Sequence, residues 1–319
     1  MKRLMGVFFL AILCSGICGC GKTEAPQGET GTLELMEGME HLVAGNTMGY
    51  CFSVSPEETK GELRLDSWDD PLHFMIESAG DKRQFAVVFL IDYQQVPVRI
   101  DGVSCEPFYV DVQGDFSEEF TFSLEEEPEP GKAHKLTAIL TAYSDIFMAD
   151  QEEIAVSSRD SIILNFDLYI GESEEAEALA SESAELEPTE PDLLYDSPGA
   201  GIIINTYTDE LLSKIPAKEV HVQRGETLTL QYHAGAFEKN DFLMFVTAGY
   251  RQMKLDGNDY LYFRDLPEKQ LAAGYCQMET PEEPGRYEVI GYVIPEPFLD
   301  AGTPPQHADC SYRFTLVVE

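Results

Sequence analysis

Two short acidic runs, DSWDD (Asp66–Asp70) and DGND (Asp256–Asp259), hold residue types suited to chemistry. Oxygen-rich loops of this kind can bind Ca²⁺, which takes 6–8 oxygen ligands, so Asp256 and Asp259 are candidate ligands. Neither run fits an EF-hand, and Asp-Gly is already the signature of a tight hairpin turn. Trp68, the single tryptophan, sits among Asp66, Asp69 and Asp70, an arrangement suited to stacking on a sugar ring. The other reading of Trp68 is an aromatic packed against a β-sheet core. Carboxylate pairs for glycosidic hydrolysis are available everywhere in a chain with 58 acidic residues, so their presence selects nothing.

Other catalytic signatures are absent. The chain has no GxSxG, HExxH, P-loop or GxGxxG, and no SxxK with its partner boxes. The six histidines (His41, His73, His134, His221, His233, His307) are scattered, with no pair at metal-ligand spacing. No cofactor motif appears. Cys51, Cys105, Cys276 and Cys310 fall two per half, which permits Cys51–Cys105 and Cys276–Cys310 disulfides in an oxidising compartment, with buried thiols as the alternative. No CxxC spacing points to a metal or redox pair.

The elements that must position these residues read as β-strands throughout. Short runs rich in Val, Ile, Phe, Tyr and Thr are punctuated by Gly, Pro and Asp-Gly, and no long helical period occurs. One passage is written twice. QFAVVFLIDYQQVPVRIDG (Gln84–Gly102) and DFLMFVTAGYRQMKLDG (Asp241–Gly257) each have Phe second and reach Tyr eight residues after it. Gln follows two residues beyond the Tyr, and both passages close on Asp-Gly. Phe85, Val87, Phe89, Ile91 and Tyr93 correspond to Phe242, Met244, Val246, Ala248 and Tyr250, and alternation sends each set toward a core. Tyr93 and Tyr250, at the end of each set, are the members placed to reach a surface. Intervening Ala86, Val88, Leu90, Leu243 and Phe245 are apolar too, as expected of a strand covered on both faces.

The flanks repeat as well. LHFMIESAG (from Leu72) matches LTLQYHAG (from Leu228), and each copy has a later Pro-Gly turn, at Pro130 and Pro284. HKLTAILTAY (from His134) matches YEVIGYVI (from Tyr287), and SIILNFDLYI (from Ser161) matches SYRFTLVVE (from Ser311). The expected architecture is all-β: two tandem antiparallel β-sandwiches, residues 45–171 and 200–319. About seven strands with regular turns resembles the immunoglobulin-like pattern, without the Cys–Trp–Cys arrangement of true immunoglobulin domains. Only the second copy carries a long Pro-rich segment before its last strand, Pro295–Cys310, read as a rigid connection or a binding loop.

The N-terminus reads Met1-Lys2-Arg3, an apolar run from Leu4 to Leu13, then CSGICGC. A basic start and about ten apolar residues make a secretory signal, too short to span a bilayer. Ile17-Cys18-Gly19-Cys20 resembles the lipobox of bacterial lipoproteins, with an aliphatic residue three before the modified Cys and a small one just before it. Cys18 and Cys14 lack the small residue. The resemblance implies cleavage before Cys20, diacylglycerol on its thiol, and a chain held on the outer side of the cell membrane. Residues 1–19 are then the signal, 20–44 a flexible tether spanning roughly 30 Å, and the acidic stretch 172–199 a linker that no composition of its kind folds alone.

The formal net charge is −37. Such a surface repels anionic headgroups and nucleic acid, so membrane attachment rests on the lipid and nucleic acid is excluded as a partner. The leading expectation is non-catalytic binding or scaffolding at the cell surface, with a protein or glycan partner. One alternative is a solute-capturing lipoprotein of a transport system, although such proteins usually resemble two α/β lobes and alternating βα units are missing here. Another is an envelope enzyme acting on glycans through Asp and Glu.

Overall fold

The computed structural model describes residues 50–55, 61–80, 82–151, 161–171, 200–206, 217–236, 240–268, 270–298 and 308–319. The expected signal peptide, the tether with Cys20 and the acidic linker lie outside the described residues. Among the described residues no helix is long and apolar enough to cross a membrane.

The first part contains β1 (Tyr50–Ser55), β2 (Glu62–Leu65), β3 (Leu72–Ser78), β4 (Arg83–Ile91), β5 (Gln94–Gln95) and β6 (Val98–Ile100). It continues with β7 (Val103–Cys105), β8 (Phe108–Val112), β9 (Phe116–Leu124), β10 (His134–Ala142) and β11 (Ser161–Ile170). The second contains β12 (Ala200–Thr206), β13 (Glu219–Val222), β14 (Thr227–Ala236), β15 (Asn240–Ala248) and β16 (Arg251–Met253). It ends with β17 (Leu261–Leu266), β18 (Leu271–Glu279), β19 (Gly285–Pro295), β20 (Asp309–Cys310) and β21 (Phe314–Val318).

Each part is a two-sheet sandwich, so the all-β expectation holds. In the first, the front sheet runs β1-β3-β9-β6-β7 and the back sheet β2-β11-β10-β4-β5, with β8 also on β4. In the second, the front sheet is β12-β14-β18 and the back sheet β13-β21-β19-β15-β16, with β17 on β15 and β20 on β19. Apart from β20, the back sheets correspond strand for strand, down to the parallel pairing of β2 with β11 and of β13 with β21. Every passage that recurs in the sequence lands on an equivalent strand.

The alternation explains the faces. On β3, Leu72, Phe74 and Ile76 are buried while Glu77 is exposed. On β4, Phe85, Val87 and Phe89 enter the first core, where Phe89 stacks on Phe122 at 4.3 Å. Phe242, Met244 and Val246 of β15 do the same in the second.

The repeated turns are tight two-residue hairpins. Asp101-Gly102 joins β6 to β7 and Asp256-Gly257 reverses the chain after Leu255, all four residues with left-handed backbone, as Asp-Gly leads one to expect. Asp92-Tyr93 and Gly249-Tyr250 form the same turn between β4 and β5 and between β15 and β16.

Those turns correct one expectation. Tyr93 and Tyr250 belong to neither sandwich core, and neither reaches the surface: they are 1% and 3% exposed. Both have φ 65°, which ends the strand alternation and swings each ring toward the other sandwich. A bulky residue in this conformation costs on the order of 1–3 kcal/mol unless its surroundings hold it. The surroundings are the seam between the sandwiches.

Candidate functional site

The second faces of β4 and β15 meet each other. Val88, Leu90 and Ile139 share a buried cluster with Phe245, Ile290 and Tyr292, so the two back sheets pack face to face. Phe245 stacks on Tyr292 at 5.0 Å within it. This is why the strands are apolar on both faces.

The repeated Tyr-x-Gln stands at the centre of the seam and makes a reciprocal contact. Gln95 N donates to Gln252 Oε1 at 2.7 Å, and Gln252 N donates to Gln95 Oε1 at 2.5 Å. Gln95 Nε2 donates to the carbonyl of Tyr250 at 3.1 Å, and Gln252 Nε2 to the carbonyl of Tyr93 at 2.9 Å. Each residue meets its own counterpart, which is the geometry of a two-fold interface formed within one chain.

Each sandwich also lends the other its loop between the last two long strands. After β10, Met148 N donates to Glu288 Oε1 (3.1 Å) and Ala149 N to Thr315 Oγ1 (2.9 Å). Lys218 Nζ donates to the carbonyl of Gln151 (2.8 Å), and Arg286 donates to Asp150 (2.8 Å) while lying over the Phe147 ring. From the second sandwich, Phe298 packs edge-on against Tyr93, whose hydroxyl donates to the carbonyl of Pro297. The described start of the Pro-rich segment is thus seam. Its stretch 299–307 lies outside the described residues.

Buried charge reinforces one side. Arg313, 2% exposed, donates from Nη1 to the carbonyl of Tyr143 (3.0 Å) and to Tyr250 Oη (3.1 Å). From Nη2 it reaches the carbonyl of Ala142 (3.3 Å). Glu288, equally buried, lies 3.9 Å from Arg313 Nε, and its Oε1 accepts from Thr315. Burial raises the Glu288 pKa despite the hydrogen bonds from Thr315 and Met148 and the charges of Arg313 and Arg286. Burial also raises the pKa values of Tyr93 and Tyr250, which leaves both hydroxyls as neutral hydrogen-bonding groups rather than nucleophiles.

The residues singled out in the sequence are not brought together. The turn of Asp66, Trp68, Asp69 and Asp70 follows β2; Asp70 Oδ2 accepts from Ser67 N at 2.8 Å, and half-buried Trp68 packs against the first core. Asp256 Oδ1 accepts from Gln277 N at 2.9 Å and Asp259 lies 3.7 Å from Lys254, so one carboxylate is engaged by backbone and the other faces a cation. No group of three or more His, Cys, Asp or Glu among the described residues could hold a metal ion.

The two permitted pairings are not formed in the structure: Cys51 is not joined to Cys105, nor Cys276 to Cys310. Cys51 on β1 and Cys105 on β7 occupy opposite edges of the front sheet. Four strand steps separate them, about 19 Å, against the roughly 7 Å that a disulfide can span between Cα atoms. Cys276 points into the second core from the front sheet, whereas Cys310 belongs to the seam cluster beside the back sheet.

Fold and seam together define an all-β protein of two like sandwiches joined back to back. No protein-family model and no curated protein matches the chain. A solved structure of a protein of unknown function from Porphyromonas gingivalis W83 is similar at 11% identity, over 84% of this chain and 99% of that one, with a TM-score of 0.21. The YadV chaperone is similar at 8% identity, over 83% and 98%, with a TM-score of 0.22. Neither likeness bears on function.

Proposed function

We propose that this chain is an extracytoplasmic lipoprotein, anchored through Cys20, whose paired sandwiches serve as a non-catalytic platform for binding or scaffolding at the cell surface. The observation that carries the reading is the fate of the polar groups with strongly perturbed surroundings. Arg313, Glu288 and Tyr93 each have a hydrogen bond to the other sandwich, and the Tyr250 hydroxyl accepts from Arg313 beside them. Catalytic groups with shifted pKa values would instead face a cleft open to substrate. Anchoring is supported by the lipobox-like Ile17-Cys18-Gly19-Cys20. The partner is a protein or glycan, met by loops outside the seam.

The test is metabolic labelling with a clickable fatty acid, combined with fractionation of wild type and Cys20→Ala. Wild type is expected in the membrane fraction carrying label, and Cys20→Ala unlabelled and unprocessed or released. Label persisting on Cys20→Ala would refute the anchor assignment. Turnover of purified envelope glycans by the soluble body would refute the non-catalytic one.

A further inference from the structure

Buried His134 is used by nothing described so far. It is 3% exposed at the start of β10. Its Nδ1 lies 2.7 Å from Asp92 Oδ2, and its Nε2 lies 2.8 Å from the carbonyl oxygen of Glu129. A carboxylate and a carbonyl both accept, so both ring nitrogens must donate, and only the imidazolium carries two N–H groups. Asp92 is in turn fixed by Lys135 N, which donates to its Oδ1 at 2.9 Å, and by its own N–H, which donates to the Lys135 carbonyl at 2.8 Å.

Asp92 is the first residue of the left-handed turn whose second residue is Tyr93. That turn presents the Tyr93 carbonyl to Gln252 and the Tyr93 hydroxyl to Pro297, and it positions Gln95 for its reciprocal bond. We propose that His134 is a cationic latch on the Asp92–Tyr93 turn, so that the lock between the two sandwiches is tightest in acid and loosens as the medium turns alkaline. The equivalent turn of the second sandwich, Gly249-Tyr250, has no carboxylate at the Asp92 position, so the device is confined to one side of the seam.

The charges around the latch are few. Asp92 comes from the turn, and Glu129, already paired with Lys132 at 2.7 Å, comes from the preceding loop. On the neighbouring strand Asp167 is matched by Lys135, and Leu168 directly opposite His134 is apolar. Burial pulls the His134 pKa down, but the hydrogen bond and charge of Asp92 and the Glu129 carbonyl outweigh it, and the net direction is upward from 6.5. A histidine whose folded pKa is raised contributes stability that is complete below the unfolded pKa. That contribution is lost as pH rises through the folded one. Glu288, also raised by burial, shifts overall stability in the same sense, so a change in total stability alone does not report the latch.

The experiment is therefore site-resolved. Ring ¹⁵N shifts of His134 should show two protonated nitrogens at pH 6 and a titration midpoint above 6.5. Amide exchange at Gln95 and Gln252, corrected for intrinsic base catalysis, should be severalfold faster at pH 8.5 than at pH 6. In His134→Gln that pH dependence should vanish while the exchange of core strand β3 stays unchanged. Should His134→Gln fail to fold, Asp92→Asn supplies the second arm, with the His134 midpoint expected to fall. A neutral, single-tautomer His134 at pH 6, or an unaltered pH dependence in either folded variant, overturns the proposal.

Discussion

Single residues show how burial sets reactivity. The Cys276 thiol, in the second core, has its pKa pushed up to about 12, first by desolvation and then by the nearby charge of Asp256. Thiolate is the reactive form, so this residue is inert while the protein is folded. Cys310 is buried in the seam, Cys105 is half-covered at a sheet edge, and Cys51 is exposed. Alkylation of the native protein at pH 8, followed by peptide mapping, should modify Cys51 fastest, Cys105 slowly, and Cys276 and Cys310 only after denaturant is added. Rapid native labelling of Cys276 would contradict its place in the core. A two-per-half distribution suggested disulfides because chain position is all that a sequence displays. What separates Cys51 from Cys105 is sheet order, which puts them at the two ends of a five-strand row.

At the scale of elements, the hairpin ends of β4 and β15 act as a matched pair. Gln95 and Gln252 each contribute a backbone N–H and a side-chain amide to the other, so deleting one side chain leaves its partner's groups unsatisfied. Gln95→Ala and Gln252→Ala should each cost about 1–3 kcal/mol. The two substitutions delete different hydrogen bonds, Gln252 N to Gln95 Oε1 in one and Gln95 N to Gln252 Oε1 in the other. Both loosen the same pair of facing turns, so a denaturation cycle should read a coupling of about 0.5–3 kcal/mol. Strict additivity would mean that the two halves of the reciprocal contact act independently. Much of this was legible in the repeat itself: the shared Tyr, the Gln two residues on, and the apolar residues on both faces of each strand. Alternation alone sends Tyr93 and Tyr250 into their own cores, because a period of two carries no sign of where the backbone turns left-handed. Arg313, Glu288 and His134 were invisible for a different reason. Arg313 and Glu288 act through residues far away in sequence, and His134, although it bonds Glu129 nearby, finds Asp92 on a distant turn, so no local spacing encodes them.

For the molecule as a whole, the seam decides whether the chain is two bodies on a leash or one. The linker expectation by itself predicts that cutting within 172–199 releases two independent halves. The seam argues otherwise. Parting the sheets would expose Val88, Leu90, Ile139, Phe245, Ile290 and Ile294, each worth about 1.5–3 kcal/mol when fully buried. It would also strip Arg313 of its carbonyl partners and leave Glu288 without the Met148 amide. Set against this are the roughly 4–15 kcal/mol of lost translational and rotational freedom that two separate fragments incur on association. Mutual repulsion is a further cost in a chain of net charge −37. The first cost is independent of salt, whereas the second is screened, with a Debye length of about 3 Å at 1 M against about 30 Å at 0.01 M. After site-specific cleavage in the linker, the halves should therefore co-elute as one species at micromolar concentration in 1 M salt. Any dissociation should appear only at the low-salt end, where repulsion is least screened. Two separate peaks in 1 M salt would show that the seam does not hold on its own, and that the sandwiches stay together only because one chain joins them.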